Sequence, residues 1–434
     1  MLQFTLPRRR ITCDGRTRRD FLKVGMLGLS GLMLPDLLRA QAAARAAGKS
    51  TRNKSVIWLW LGGGATHIET FDPKMSAPAE YRSTVGAVKT NIPGVSIGGL
   101  LPKMAQIADR MAFVRSFAHE NSGHGGGTHW VMTGYDYREA DNGAPPIRPG
   151  VGAITSRFRG ANDRATGLPT YVRMGDILAD GPAWLGRAYA PFDVGGNTQQ
   201  DMNLRVQMDR LSERRSLLKT FDQIDRTLDA SGTMHGLDSF DGQAFDLILG
   251  KARQVFDASR EDPRVRDRYG RGLGEQLLLA RRLCEAGVGF VTIHFGGWDM
   301  HGQIVDGMKQ LCPQLDQAVT ALIVDLAERG LEREVLLVIS GEFGRTPRVN
   351  GGAGRDHWAP LSTLALAGGG LRMGQVIGES SSKAEVPKTT PITPQDLMAT
   401  VFHVLGMPLD LHYTDPTGRP TPMVDGGKLI AELM

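Results

Sequence analysis

Short apolar runs alternate along the chain with longer stretches whose apolar residues recur every three or four positions. SVIWLWL (55–61), MAFVRS (111–116), TYVRM (170–174), GFVTIHF (289–295), EVLLVIS (334–340) and LSTLALA (361–367) are predicted strands, several of them buried on both faces. Between them, 204–229, 244–257, 275–287 and 305–330 carry helical periodicity. PQDLMATVFHVLG is a further predicted helix, with Thr393 as N-cap and proline in its first turn. Strand alternating with helix predicts an α/β fold, a mostly parallel sheet with helices on both faces. The segment from about 175 to 260 is mostly helical and polar, and is expected to be an inserted cap.

In such sheets ligands bind beyond the carboxyl ends of the strands. The chemistry-bearing residues collect in the loops that start there. GGGATHIETFD brings His67 and Asp72, and FAHENSGHGGGTH brings His119, His124 and His129. GGWDMHG brings Asp299 and His301; GEFGR and GGAGRDHW bring Glu342, Arg345, Asp356 and His357. Six of the ten histidines therefore fall where one rim can gather them.

Asp299 and His301, two apart on extended backbone, point to the same side. A carboxylate beside imidazole suits zinc, manganese or iron better than magnesium or calcium, which prefer oxygen. The competing reading is a polar turn in which Asp299 caps a helix near Gly302. Glu342 either ligates a metal while Arg345 meets a substrate anion, or the two simply pair. His357 is a candidate ligand whose other nitrogen Asp356 or a carbonyl would orient. His67 and Asp72 are secondary candidates, as ligands or as supports of ligands.

HGGG also occurs as the oxyanion loop of lipases, but that chemistry needs a G-x-S-x-G elbow directly after a strand, and the one mature match, GVSIG (94–98), follows none of the predicted strands. LGGGATH lacks the third glycine of a dinucleotide fingerprint. Backbone N–H groups at a helix start near Gly127 remain suited to a phosphate.

The N-terminus changes the charge picture. Thr17-Arg18-Arg19-Asp20-Phe21-Leu22-Lys23 resembles a twin-arginine export signal. It is followed by VGMLGLSGLML, too short to span a bilayer, and by small residues suited to cleavage around Ala42 or Ala44. Eight cations against three acids up to Ala44 give +5, the formal charge of the whole chain. The mature protein is then near neutral, the pI of 9.1 belongs to the leader, and no basic field remains for nucleic acid or anionic lipid. Residues 1–44 are therefore expected to be the leader and 45–434 the α/β domain. Of three cysteines, Cys284 and Cys312 stay, as one disulfide or as buried thiols.

GGGATHIETFDPK, HGGGTHWVMTG, GGWDMHG, SGEFGRTP with GRDHW, and TPITPQDLMATVFHVLGMP together resemble the alkaline phosphatase and sulfatase superfamily. Within it, the chain resembles a bacterial twin-arginine-exported family known as domain of unknown function 1501. The resemblance implies a phosphatase-like sheet, metals in a cleft, and hydrolysis of phosphate or sulfate esters. Asp299 and His301 resemble the Asp-and-His pair of one metal site, and His357 its distal histidine. Glu342-Phe343-Gly344 stands where many relatives have Asp-His-Gly, so Glu342 can ligate and Phe343 cannot. His124 falls where the nucleophile stands, with Ser122 and Thr128 off register. Neither mature cysteine lies in a Cys-x-Pro-x-Arg context, which excludes formylglycine.

The expectation is a periplasmic or extracellular metal-dependent hydrolase acting on a small anionic ester. Zinc or manganese would sit on Asp299, His301, Glu342 and His357, with His67 and Asp72 secondary. His124 would stand near the reacting centre and Arg345 near the substrate anion. The alternative is a non-catalytic binding or assembly protein on the same fold. The precursor's partner would be the twin-arginine export machinery, with no membrane anchor left after cleavage. Replacing Arg18 and Arg19 together by lysine should hold the precursor in the cytoplasm, read by fractionation; continued export would refute the route.

Overall fold

The structure, a computed structural model, describes residues 53–163, 166–195 and 252–434. The leader, the predicted helix at 204–229 and most of that at 244–257 lie outside the described residues. Eight strands form the main sheet: β1 (Ser55–Leu61), β2 (Met111–Val114), β3 (Tyr171–Met174), β4 (Phe192–Asp193), β5 (Phe290–Phe295), β6 (Val335–Ser340), β7 (Leu364–Gly368) and β8 (Gln375–Ile377). Their spatial order is β8-β2-β7-β6-β1-β5-β3-β4. Every neighbouring pair is parallel except the two that β7 makes, with β2 and with β6. The expected mostly parallel α/β sheet is present.

The alternation within SVIWLWL explains how both faces are covered. Ile57, Leu59 and Leu61 enter one core with the helices α3 (Leu273–Glu285) and α4 (Ile304–Glu328). Val56, Trp58 and Trp60 enter a second core with α1 (His124–Thr133), α2 (Val151–Arg159) and α5 (Pro394–Leu405). All seven residues of β1 are buried, so a central strand reads as a continuous apolar run. Two of its polar side chains find buried partners: Trp58 Nε1 donates to Ser340 Oγ on β6 at 2.8 Å, and Ser55 Oγ to the Val288 carbonyl at 2.7 Å. Thr393 caps α5 as the sequence predicts, accepting from Asp396 N while Asp396 accepts from Thr393 N. Among the described residues no helix is long and apolar enough to cross a membrane. Cys284 and Cys312 are buried free thiols.

Two strands carry no apolar run and escape sequence reading. β4 and β8 are short strands at the sheet's edges. Of the expected cap, residues 175–195 hold two short 3-10 turns and then join the sheet through β4, and Ala252–Phe256 is helical. The helix in HGGGTHWVMT starts at His124, three residues earlier than the expected start near Gly127.

The topology decides where loops meet. β1, β5 and β6 lie side by side and parallel, so the segments after Leu61, Phe295 and Ser340 leave from one rim. β7 runs the other way, so the residues preceding it arrive at that same rim. There a two-residue antiparallel ladder pairs His357 with Arg345 and Trp358 with Gly344. Gly63, at φ +106°, lets the loops after β1 and β5 touch: a Cβ there would lie 2.6 Å from Asp299 N.

A buried ion pair secures the outer part of this rim. Arg355 and Glu69 are both fully buried, with Arg355 Nη2 to Glu69 Oε1 at 2.9 Å. Arg355 also donates to the carbonyls of Thr346, Pro347, Tyr81 and Arg82. Arg355→Met should cost about 3–5 kcal/mol in urea unfolding, because it leaves the buried Glu69 carboxylate without its counter-charge. A loss below about 1 kcal/mol would show that the pair is dispensable. His67, two residues before Glu69, is buried and donates Nε2 to the Ala384 carbonyl at 3.1 Å. Burial pulls its pKa down to about 4, below an ordinary 6.5, although that hydrogen bond opposes the shift. The unfolded chain then binds the extra proton first. The stability His67 contributes is whole above pH 6.5, is lost as pH falls towards 4, and changes no further below. Its ring resonances should show no titration step above about pH 5; a step near 6.5 would refute its burial in the neutral form.

Candidate metal centre

The rim gathers His124, Asp299, His301, Glu342 and His357, together with the Arg345 side chain. One ligating atom from each of His124, Asp299 and His357 lies within 4.8 Å of the others. His124 Nε2 stands 3.4 Å from Asp299 Oδ2, and His357 Nε2 stands 3.1 Å from Asp299 Oδ1. His301 Nε2 lies beside them, 3.1 Å from Asp299 Oδ1 and 3.0 Å from His357 Nε2.

The hydrogen bonds behind the rings decide what those Nε2 atoms offer. His357 Nδ1 is 2.9 Å from the Ser122 carbonyl, which can only accept, so Nδ1 carries the proton. His301 Nδ1 faces Asp356 Oδ1 at 2.7 Å, and His124 Nδ1 faces Glu342 Oε1 at 2.8 Å. In each neutral ring the proton is then on Nδ1 and the Nε2 lone pair is bare. With all three rings neutral, three bare nitrogens face the Asp299 carboxylate. Acceptors 3.0–3.4 Å apart repel unless a proton or a cation lies between them. Imidazoles oriented by a carboxylate or a carbonyl behind them are the usual supports of metal ligation.

The charges agree. Burial works against ionisation of Asp299, but the Arg345 hydrogen bond and charge, with His357 and His124, outweigh it and hold the carboxyl at about 2. His124 is raised, chiefly by its hydrogen bond to Glu342 and against the opposing effect of burial. His357 is lowered by burial, with the Asp299 carboxylate opposing and Arg345 adding to the shift. Phe343 lies under the rings, its centroid 4.4 Å from that of His357 and 5.1 Å from that of His124.

The predicted residues separate into three groups. Asp299, His301, His357 and His124 meet. Glu342 comes to the same place in a different posture. Its Oε1 accepts from His124 Nδ1 and from Gly63 N, both at 2.8 Å, while Oε2 is buried without a hydrogen-bond partner. It orients His124 from behind. Arg345 departs from the expectation of a substrate contact: its side chain is 0% exposed and bonds to Asp299 and to backbone carbonyls. The simple Glu342–Arg345 pair is not formed among the hydrogen bonds and ion pairs of the described residues, where Arg345 pairs with Asp299. His67 and Asp72 are not in the cluster. Asp72 pairs with Lys74 and Arg115 and accepts from Ser380 in a buried pocket of its own. The local sequence explains this: the one-turn helix His67–Thr70, capped by Thr66, turns the chain away from the rim after Ala65.

Sequence reasoning missed the supports. Ser122 contributes its carbonyl to His357 and its hydroxyl to Ala359 N, while Thr128 Oγ1 donates to the His124 carbonyl at 2.6 Å. Asp356 orients His301, whereas His357 takes the carbonyl. Asn350 donates to Asp356 Oδ1 and to the His301 carbonyl, bracing that pair. His119 sits one layer back, its Nε2 donating to the Glu342 carbonyl at 2.6 Å and its pKa pulled by burial down to about 4. His129 Nδ1 donates to the Tyr135 carbonyl at 2.8 Å. A backbone carbonyl leaves no trace in residue identity, so only the Asp356 support had a signal, as a carboxylate next to His357.

No curated protein matches the chain in sequence. In structure it is similar to the PsFucS1 sulfatase from Pseudoalteromonas sp., with a TM-score of 0.41 at 13% identity, covering 88% of this chain and 73% of that one. It is also similar to the phosphonate monoester hydrolase SpPMH from Silicibacter pomeroyi, with a TM-score of 0.35 at 14% identity over 88% and 76% of the two chains. A 2-O GAG sulfatase gives a TM-score of 0.39 at 10% identity over 88% and 74%. Residues 53–434, the whole α/β domain with its rim of imidazoles, match the family described as "Protein of unknown function (DUF1501)", and the chain belongs to that family.

Proposed function

We propose that the protein is a periplasmic metal-dependent hydrolase of phosphate or sulfate esters. One observation carries the reading: three imidazoles, each with Nδ1 against a fixed acceptor, turn their Nε2 atoms towards an ionised carboxylate. The donor set suits a divalent ion of intermediate softness, zinc or manganese, more than calcium. His124, Asp299 and His357 would hold it, their ligating atoms being already within 4.8 Å of one another. The buried, unpartnered Glu342 Oε2 adds negative charge to the same surroundings.

A bound divalent ion supplies Lewis-acid polarisation of the ester and of its attacking nucleophile. The chain's own groups supply the rest. His301, with Nδ1 on Asp356, is placed to hold or pass a proton at Nε2, and at 48% exposure its side chain is reachable by a substrate. Asp356 keeps that ring in one tautomer and one orientation. Phe343 brings apolar surface up to the His357 and His124 rings. The twin-arginine-like leader and the resemblance of the rim motifs to phosphatases and sulfatases support the compartment and the ester class.

The purified mature protein should carry about one zinc or manganese ion per chain by elemental analysis. Asp299→Asn combined with His357→Ala should abolish that occupancy and any turnover of aryl sulfate, phosphomonoester or phosphodiester substrates. Metal content below about half an ion per chain, unchanged by the double substitution, would refute the metal centre. Full loading without turnover of any ester would instead support a binding or assembly role.

A further inference from the structure

We infer that Arg345 is the positioning residue of this centre: its guanidinium holds Asp299 and the surrounding loops in ligating register and does not meet the substrate. The inference rests on the reading of the cluster as a metal site.

An arginine that binds a substrate anion must keep N–H groups free on an accessible surface. Arg345 commits four of its five N–H groups inside the protein. Its side chain is 0% exposed. Nε donates to the Gly64 carbonyl at 2.8 Å and Nη1 to the Arg355 carbonyl at 3.1 Å. Nη2 donates to the Gly63 carbonyl and to Asp299 Oδ1. These acceptors belong to three different segments: the loop after β1, the loop after β5, and the stretch leading into Asp356 and His357. Arg345 itself belongs to a fourth, the loop after β6. One planar fork therefore sets the mutual position of four segments that carry or support every member of the cluster.

The consequence for Asp299 is specific. Its side chain is 45% exposed, so solvent alone would leave the carboxylate free to rotate. With Oδ1 pinned by Arg345, Oδ2 is turned towards His124 Nε2. The Gly63 backbone closes the arrangement. Its carbonyl accepts from Arg345, and its N–H donates to the Glu342 oxygen that also accepts from His124. Displacing the guanidinium disturbs Asp299 directly and His124 through that peptide. Lysine cannot replace the fork, since one ammonium on a flexible stem does not reach acceptors on three segments at fixed angles.

The test compares wild type, Arg345→Ala and Arg345→Lys for Zn2+ affinity by competition with a chromophoric chelator, after circular dichroism has established folding. Arg345→Ala should bind zinc about 10–100-fold more weakly, as loss of a ligand's supporting partner does, with Arg345→Lys between it and wild type. Guanidinium ion added well below denaturing concentration should restore zinc affinity to Arg345→Ala by refilling the vacated cavity; a general folding defect would not be rescued. If the alanine variant does not fold, the lysine variant carries the comparison, with weaker zinc binding expected. Zinc affinity equal to wild type in the folded variants overturns the inference while leaving the metal site standing. So does a raised KM for an ester with zinc affinity unchanged, which would put Arg345 on the substrate. A wild-type protein that binds no zinc or manganese refutes the metal reading itself, and the inference with it.

Discussion

Each imidazole of the cluster commits its Nδ1 proton to an acceptor fixed elsewhere in the fold: the Ser122 carbonyl, the Asp356 carboxylate or the Glu342 carboxylate. Much of the rim's arrangement follows from that constraint. A ring held this way has, when neutral, one tautomer, one orientation and one bare nitrogen. Asp299, ionised and unable to donate, completes a small volume lined by lone pairs. Such a volume is electrostatically unfavourable when left to itself, which is why the geometry points towards a cation more strongly than any count of histidines does.

The fold reaches this arrangement by topology more than by any single loop. Three adjacent parallel strands deliver the Gly62–Gly64 turn, Asp299 and Glu342 to one rim, and the antiparallel β7 is entered from that rim just after His357. Two buried arginines then take up the backbone carbonyls that such crowded loops leave without partners. Arg345 serves Gly63, Gly64 and Arg355, and Arg355 serves Thr346, Tyr81 and Arg82. Unsatisfied carbonyls at this depth would each be costly, so the two guanidinium groups stabilise the loops while fixing their geometry. Arg345 Nη1 on the Arg355 carbonyl joins the two into one network.

Much of the sheet was legible in the residues. SVIWLWL is strand over all seven predicted positions, and GFVTIHF and EVLLVIS differ from the observed strands by a single residue at the start. Burial on both faces demands an unbroken apolar run, and little else in a soluble chain looks like one. LSTLALA starts three residues late, because Ser362 N and Thr363 Oγ1 are spent on the carbonyls of Phe117 and Ala65. β4 and β8 were invisible because short edge strands need no apolar pattern. At the site, the presence of Asp299, His301, His357 and His124 on one rim followed from their places after or before strands. The placement of His67 and Asp72 did not, since a one-turn helix was enough to divert them.

The sequence by itself determined the periodicities, and through them which runs lie in the sheet and which loops can share its carboxyl rim. It also set the chemical capacity of each side chain, how many protons or lone pairs it can offer. Tertiary structure alone decided who meets whom: that Arg345 is spent on carbonyls and on Asp299, that Glu342 stands behind His124, and that Ser122 orients His357 through its backbone. The reason is physical. A hydrogen bond is made within about 3 Å, a distance set by packing among segments remote in the chain, and half of the decisive acceptors are carbonyls that every residue carries alike.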